Sequence, residues 1–298
     1  MGRPIDFAGI VVALLALPCV ADDLAPPAVQ DEPELWAIPT RQDRIGRIVA
    51  PVMINGRGPF HLIVDTGANS TTFSESLAER LGIDADAKVM MNGVTGRALV
   101  PVASVDRVES GALVFTNQQV PIVSTDVLAD ADGILGVAAL SDRQLIVDFR
   151  RNRVSLVVSQ KLPRHLLRIK VRRLPSGLLT TRAEVSGVRT VVIIDTGAER
   201  TLGNAALLQA LDESYRSTSS VSVVGTTSDV SDGNVVTVGN IQIGDVRVRN
   251  GQITFGDFHV FEHCKLDDRP ALLLGMDVIG RLDLFVIDFR RLVVGFRS

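Results

Sequence analysis

The stretch Phe60-His61-Leu62-Ile63-Val64-Asp65-Thr66-Gly67-Ala68 returns 130 residues later as Thr190-Val191-Val192-Ile193-Ile194-Asp195-Thr196-Gly197-Ala198. In both places an apolar run ends on an aspartate that enters a turn at glycine. Upstream, Val49 to Ile54 is followed by Asn55-Gly56-Arg57-Gly58, and Leu178 to Val185 by Ser186-Gly187. An alternating strand, a Gly turn and a second apolar strand predict a β-hairpin in each copy.

The order of elements persists downstream. Phe73 to Leu81 places its apolar residues on one face and stops at Gly82, which predicts a helix with a glycine C-cap. Asn204 to Leu211 is its counterpart, with Asn204 as N-cap. Gly turns follow at Asn92 to Gly96 and Val224 to Ser228, then Gly133-Ile134-Leu135-Gly136 and Leu273-Leu274-Gly275. Each half closes on a similar strand, Val147-Asp148-Phe149-Arg150-Arg151 or Ile287-Asp288-Phe289-Arg290-Arg291. The separation drifts from 130 at the aspartates to 139 at Gly136 and Gly275 and 140 at Asp148 and Asp288. An insertion after Asp195 accounts for the drift. The chain is an internal duplication.

Short strands, Gly turns and one short helix or so per half predict a mainly β protein. Two units seldom suffice for a solenoid, so the expected architecture is a pair of associated β-barrels related by a pseudo-two-fold axis. The corresponding domains are 41–160 and 178–298, joined by a linker at 161–177 that holds two prolines and several basic residues.

The 298 residues are 46% hydrophobic and 22% charged, enough for a packed core. A net charge of -3 gives no electrostatic reason to expect nucleic acid as a partner. Arg3, the apolar run Phe7 to Val20 and the small residues around Ala21 read as a signal peptide over 1–21. The run is short for a bilayer span; an uncleaved anchor is the alternative. Residues 22–40, rich in Ala, Pro and acidic residues, read as a flexible spacer. The expectation is an exported, periplasmic or secreted protein with no stable span once the leader is removed. Cys19 would leave with that leader, so Cys264 would stand without a disulfide partner.

A carboxylate directly after Val64 or Ile194 sits beside apolar surface, where it must be paired, hydrogen-bonded or protonated. Glycine lets backbone N–H groups fold around it, and the Thr hydroxyl can reach the partner loop. Two such turns brought together would place like charges too close for both to ionise, so the pair would keep one proton. The ionised member could then activate water while the protonated one donates to a carbonyl oxygen.

The repeated Asp-Thr-Gly-Ala, with Ile134-Leu135-Gly136 and Leu273-Leu274-Gly275 downstream, resembles the retropepsin-like and pepsin-like aspartic proteases. More closely it resembles bacterial aspartyl protease-like domains, through Asp132-Gly133-Ile134-Leu135-Gly136. That resemblance spans about Arg47 to Phe296. It implies an aspartic endopeptidase acting on extended polypeptide, with Asp65 and Asp195 catalytic and with no cofactor or metal. Thr66, Gly67, Ala68, Thr196, Gly197 and Ala198 would support the turns. Asn69, Glu199, Gly93, Gly96, Gly225 and Thr226 would meet substrate, the last four from flaps over the cleft. Ala68 and Ala198 replace the serines usual in pepsin-like enzymes, so an extreme acidic optimum is not implied. Because both halves lie on one chain, a lone molecule would be complete, a pseudo-dimeric monomer.

Other readings have less behind them. Asp148 and Asp288, each before an Arg pair, read as structural salt bridges. His259 and His263 would align on a helix as metal ligands, yet Phe258-His259-Val260-Phe261 reads as extended. There is no Gly-x-Ser-x-Gly for a serine hydrolase. A non-catalytic relative that binds peptides or assembles in the envelope is the alternative to a peptidase.

Overall fold

The computed structural model describes residues 38–39 and 47–297, apart from 112, 137–139, 141, 152 and 212–216. The signal-peptide segment 1–21 and nearly all of the 22–40 spacer lie outside the described residues. Among the described residues no helix is long and apolar enough to cross a membrane.

The first half runs β1 (Ile38–Pro39), β2 (Ile48–Ile54), β3 (Arg57–Asp65), β4 (Thr72–Ser74), α1 (Glu75–Leu81), β5 (Ala87–Asn92), β6 (Arg97–Ser110), β7 (Leu113–Val123), a 3-10 turn (Thr125–Leu128), β8 (Gly133–Gly136), β9 (Arg143–Asp148) and β10 (Arg153–Val158). Between the halves lie β11 (Leu167–Lys170) and β12 (Arg172–Arg173). The second half runs β13 (Leu179–Val185), β14 (Val188–Ile194), β15 (Leu202–Gly203), α2 (Ala205–Ala210), β16 (Ser217–Val224), β17 (Val230–Ile243), β18 (Val246–Gly256), α3 (His259–His263), β19 (Ala271–Leu274), α4 (Met276–Ile279), β20 (Leu284–Asp288) and β21 (Val293–Arg297).

Each half closes into a barrel. The first sheet has the order β1-β2-β3-β8-β4-β7-β6-β5, and an extra β2–β6 pairing shuts a six-strand ring. The second has the order β12-β13-β14-β19-β15-β18-β17-β16, shut by β13–β17. The protein is mainly β with two retropepsin-like barrels. Inside each barrel the aspartate-bearing strand runs parallel to the apolar-apolar-Gly strand, pairing Val64 with Leu135 and Ile194 with Leu274. Those glycine strands therefore stand behind the turns and carry them.

The helices start where their caps dictate. Ser74 Oγ accepts from Leu77 N–H at 3.0 Å, so α1 begins at Glu75, while Thr72–Ser74 is held in the sheet as β4. Asn204 Oδ1 accepts from Leu207 N–H at 2.9 Å and starts α2.

Three features depart from the sequence reading. The closing strands do not stay in their own halves: β9 pairs antiparallel with β20 in a five-stranded sheet, order β10-β9-β20-β21-β11. The stretch 161–177 is not a bare linker. Leu167-Arg168-Ile169-Lys170 alternates half-buried and exposed residues and adds β11 to that shared sheet, and β12 pairs with β13. Ile38 and Pro39, inside the spacer as read, pair with Val49 and Ile48. In addition, the length drift has more than one source. Strands β5 and β16 start 130 apart, β6 and β17 133 apart, and β8 and β19 138 apart. Three residues enter in the second flap and five between β18 and β19.

One apolar core runs through both barrels and the shared sheet, joining Val64 and Ile194 to Leu145, Val147, Phe285 and Ile287. Asp148 and Asp288 serve that sheet, as expected. Asp148 takes the Arg151 backbone and guanidinium, each at 2.9 Å. Asp288, fully buried, takes Ser159 Oγ at 2.8 Å, Gln144 Nε2 at 2.9 Å and Arg291 N–H at 2.8 Å.

Candidate active site

Strands β3 and β14 deliver Asp65 and Asp195 to the floor of one cleft of about 1080 Å³, lined by both halves. Behind them Thr66 and Thr196, 1% and 0% exposed, cross-link the turns. Thr66 Oγ1 donates to Ile194 O at 3.0 Å, and Thr196 Oγ1 donates to Val64 O at 2.8 Å. Gly67 N–H donates to Asp65 Oδ1 at 2.6 Å. Gly197 and Ala198 N–H donate to Asp195 Oδ1 at 2.8 and 3.1 Å. The two glycines are also what lets the acids meet. A methyl at Gly67 would lie 2.6 Å from Asp195 Oδ2, and one at Gly197 would overlap the Asp65 carboxylate.

The two carboxyls lie close together, each against the glycine of the other's turn, and like charges so close cannot both ionise readily. Burial pushes Asp195 well above the usual carboxylate range, and the neighbouring Asp65 charge pushes it further. Asp65 is raised as well, chiefly by burial, against which the Asp195 hydrogen bond, the Gly67 and Ala68 amides and the Arg47 cation act. Opposite charge and amide hydrogen bonds favour ionisation while desolvation opposes it.

The two Gly hairpins, the flaps of the sequence reading, both line the cleft, through Gly93 and Val94 on one and Gly225 and Thr226 on the other. Flap 1 is the turn 93–96 between β5 and β6, closed by Gly93 N–H to Gly96 O at 2.8 Å. Flap 2 is the turn 225–229 between β16 and β17, closed by Gly225 N–H to Asp229 O at 3.1 Å. Their tips touch: Thr95 Oγ1 donates to Asp229 O at 2.8 Å, and a methyl on Gly225 would overlap Thr95.

Both Asp-Thr-Gly turns and both flaps fall inside residues 50–139 and 181–278, the two segments that match the aspartyl protease family. The chain belongs to the aspartyl protease family. The two matches in one chain are its two fused retropepsin-like halves. No curated relative matches the chain.

Of the residues read from the sequence, Asp65, Gly67, Ala68, Asn69, Gly93, Asp195, Gly197, Ala198, Glu199, Gly225 and Thr226 line this family member's cleft. Thr66 and Thr196 lie beneath it. Gly96 does not line it: it backs onto the Asp229 carboxylate at the flap seam. Asn69 is tied down, its amide donating to Ser176 O. Glu199 is solvent-exposed beside Arg200, 3.8 Å away.

Sequence reading missed several lining residues. Arg47, buried, reaches Leu128 O at 3.3 Å from the residue before β2; a position outside every repeated element gives no signal. Met91, Val127, Val260 and His263 also line the cleft. The extended reading of Phe258-His259-Val260-Phe261 is overturned, since His259–His263 forms α3. Its apolar residues, Val260 and Phe261, are consecutive and both buried, a pattern five residues cannot distinguish from a strand. Among the described residues no group of three or more His, Cys, Asp or Glu could hold a metal.

Proposed function

We propose that the protein is an aspartic endopeptidase that hydrolyses peptide bonds in extended polypeptide. The observation behind this is that Asp65 and Asp195, from separate halves, meet in one cleft, each carboxyl against the glycine of the other's turn. In this reading the ionised carboxylate takes a proton from a water held between the pair, and the water oxygen attacks the scissile carbonyl carbon. The protonated partner donates to the carbonyl oxygen, giving a tetrahedral diol without any acyl-enzyme. Collapse returns a proton to the pair, the leaving nitrogen takes one, and the C–N bond breaks. A cleft of about 1080 Å³, at the upper end of the ~300–1,000 Å³ range of ligand pockets, has room for several residues of peptide.

One chain would suffice, as both acids are intramolecular. Export to the periplasm or beyond, carried by the leader reading of 1–21, is part of the same proposal. The test is incubation of purified protein with an unfolded polypeptide beside Asp65→Asn and Asp195→Asn variants. Cleavage by the unsubstituted protein alone supports the reading; cleavage surviving both substitutions overturns it.

A further inference from the structure

Flap 1 and flap 2 are related by the duplication but are not anchored alike. The segment between β18 and β19 is 14 residues long, whereas its counterpart between β7 and β8 has nine. The extra length makes α3, which reaches across from the second half to flap 1. Val260 N–H donates to Val94 O at 3.1 Å, and His259 Nε2 donates to Asn92 Oδ1 at 3.1 Å. Val94 packs on the buried cluster holding Phe258, Val260 and Phe261, and so does Val223 of β16, so the two flaps differ in their hydrogen bonds and not in this apolar contact. On the other side the shorter segment forms only the turn Thr125–Leu128. Among the described residues, no hydrogen bond joins that turn to flap 2.

Outside its own hairpin, flap 2 is hydrogen-bonded only to flap 1 among the described residues, through Thr95 Oγ1 to Asp229 O and Ser231 Oγ to Thr95 O at 3.5 Å. The seam is imperfect. Thr227 Oγ1 is buried there without a hydrogen-bond partner, against Gly93. A buried hydroxyl left unpaired is unfavourable, and separation of the tips would return it to water.

We propose that α3 clamps flap 1 as the standing wall of the cleft, with His259 and Val260 as positioning residues, so that flap 2 alone is the moving lid. The kinetic part of this proposal rests on the peptidase reading; the structural part does not. A clamped flap meets substrate already ordered, so releasing it should weaken binding more than it slows chemistry.

The experiment is amide hydrogen exchange on the full chain, resolved residue by residue, with kinetics alongside. Gly93 and Gly225 are the matched probes, since each amide closes its own flap turn; Val260 reports the clamp itself. The clamp predicts that Gly93 exchanges about tenfold or more slowly than Gly225, the scale of one net hydrogen bond. His259→Ala should erase that difference, speed exchange at Val260 and raise KM by about tenfold with kcat within about twofold. His259→Gln, which keeps a donor, should restore protection. Equal exchange at Gly93 and Gly225 in the unsubstituted protein overturns the clamp, even if His259→Ala fails to fold. Unchanged protection at Val260 in a folded His259→Ala also overturns it. A chain that cleaves nothing but keeps the Gly93–Gly225 difference would sink the peptidase reading and leave the clamp standing.

Discussion

Thr66 and Thr196 grip each other's backbone. Each hydroxyl accepts from the other residue's N–H, at 3.0 and 3.1 Å, and donates to the carbonyl just before the other's aspartate. Four buried hydrogen bonds thus cross the pseudo-two-fold axis and set the spacing of the acids from below. The duplication matters chemically because these threonines repeat along with the aspartates.

Replacing Thr196 with valine keeps the shape and removes the hydroxyl. Val64 O and Thr66 N–H then lose a partner in a buried site, which should destabilise the fold by about 2–3 kcal/mol. Denaturant unfolding at fixed pH measures this, and Thr66→Val should match it through the symmetric contacts. A loss below about 0.5 kcal/mol for both would mean that the grip contributes little.

Gly67→Ala tests the close approach. The new methyl would be 2.6 Å from Asp195 Oδ2, so one turn must shift. Displacing a reacting group by about 1 Å can cost 10²-fold, so peptide cleavage should fall by about that factor or more while the chain still folds. Cleavage within twofold of the unsubstituted protein would contradict the geometry.

Asp195→Asn should make the protein more stable at neutral pH. Both dyad pKa values are raised by burial, so the folded state binds protons more tightly than the unfolded chain. The stability this provides is complete below the ordinary carboxylate pKa of about 3.9 and is lost as pH rises through the raised values. Asparagine removes that loss. Its Tm should exceed the unsubstituted protein's at pH 7 and converge with it in acid.

Asp288 has the opposite sign. Burial works against its ionised form, but amide hydrogen bonds from Arg291, with Gln144, Ser159 and the Arg291 guanidinium, outweigh it and hold the carboxyl below the usual range. Its contribution is present above the unfolded pKa and fades as pH falls through the lowered one. Asp288→Asn should therefore cost about 2–3 kcal/mol at pH 7 and progressively less toward pH 2. Thermal scans across that range give the sign directly.

Local chemistry is what made the chain readable. Asp65-Thr66-Gly67 and Asp195-Thr196-Gly197, the Ser74 and Asn204 caps and the Gly flap turns each act within a few residues, and repetition confirmed their order. Pairings set by tertiary contact were not readable. Nothing in Val147-Asp148-Phe149 says that its strand pairs with Ile287 and Phe285 across the halves. Leu167 to Lys170 looked like linker because prolines and basic residues surround a four-residue strand. Arg47 enters the cleft from the edge of the repeat, and α3 is too short for its period to show.

For the proposed chemistry Asp65 and Asp195 must hold one proton between them. Carbon-13 NMR titration of the aspartate carboxyls, with Asp65→Asn and Asp195→Asn as assignment controls, measures this most directly. A shared proton gives two separated steps belonging to the pair, the second well above the ordinary carboxylate range, with a singly protonated window between. Two carboxyls that ionise independently near pH 4 would contradict it.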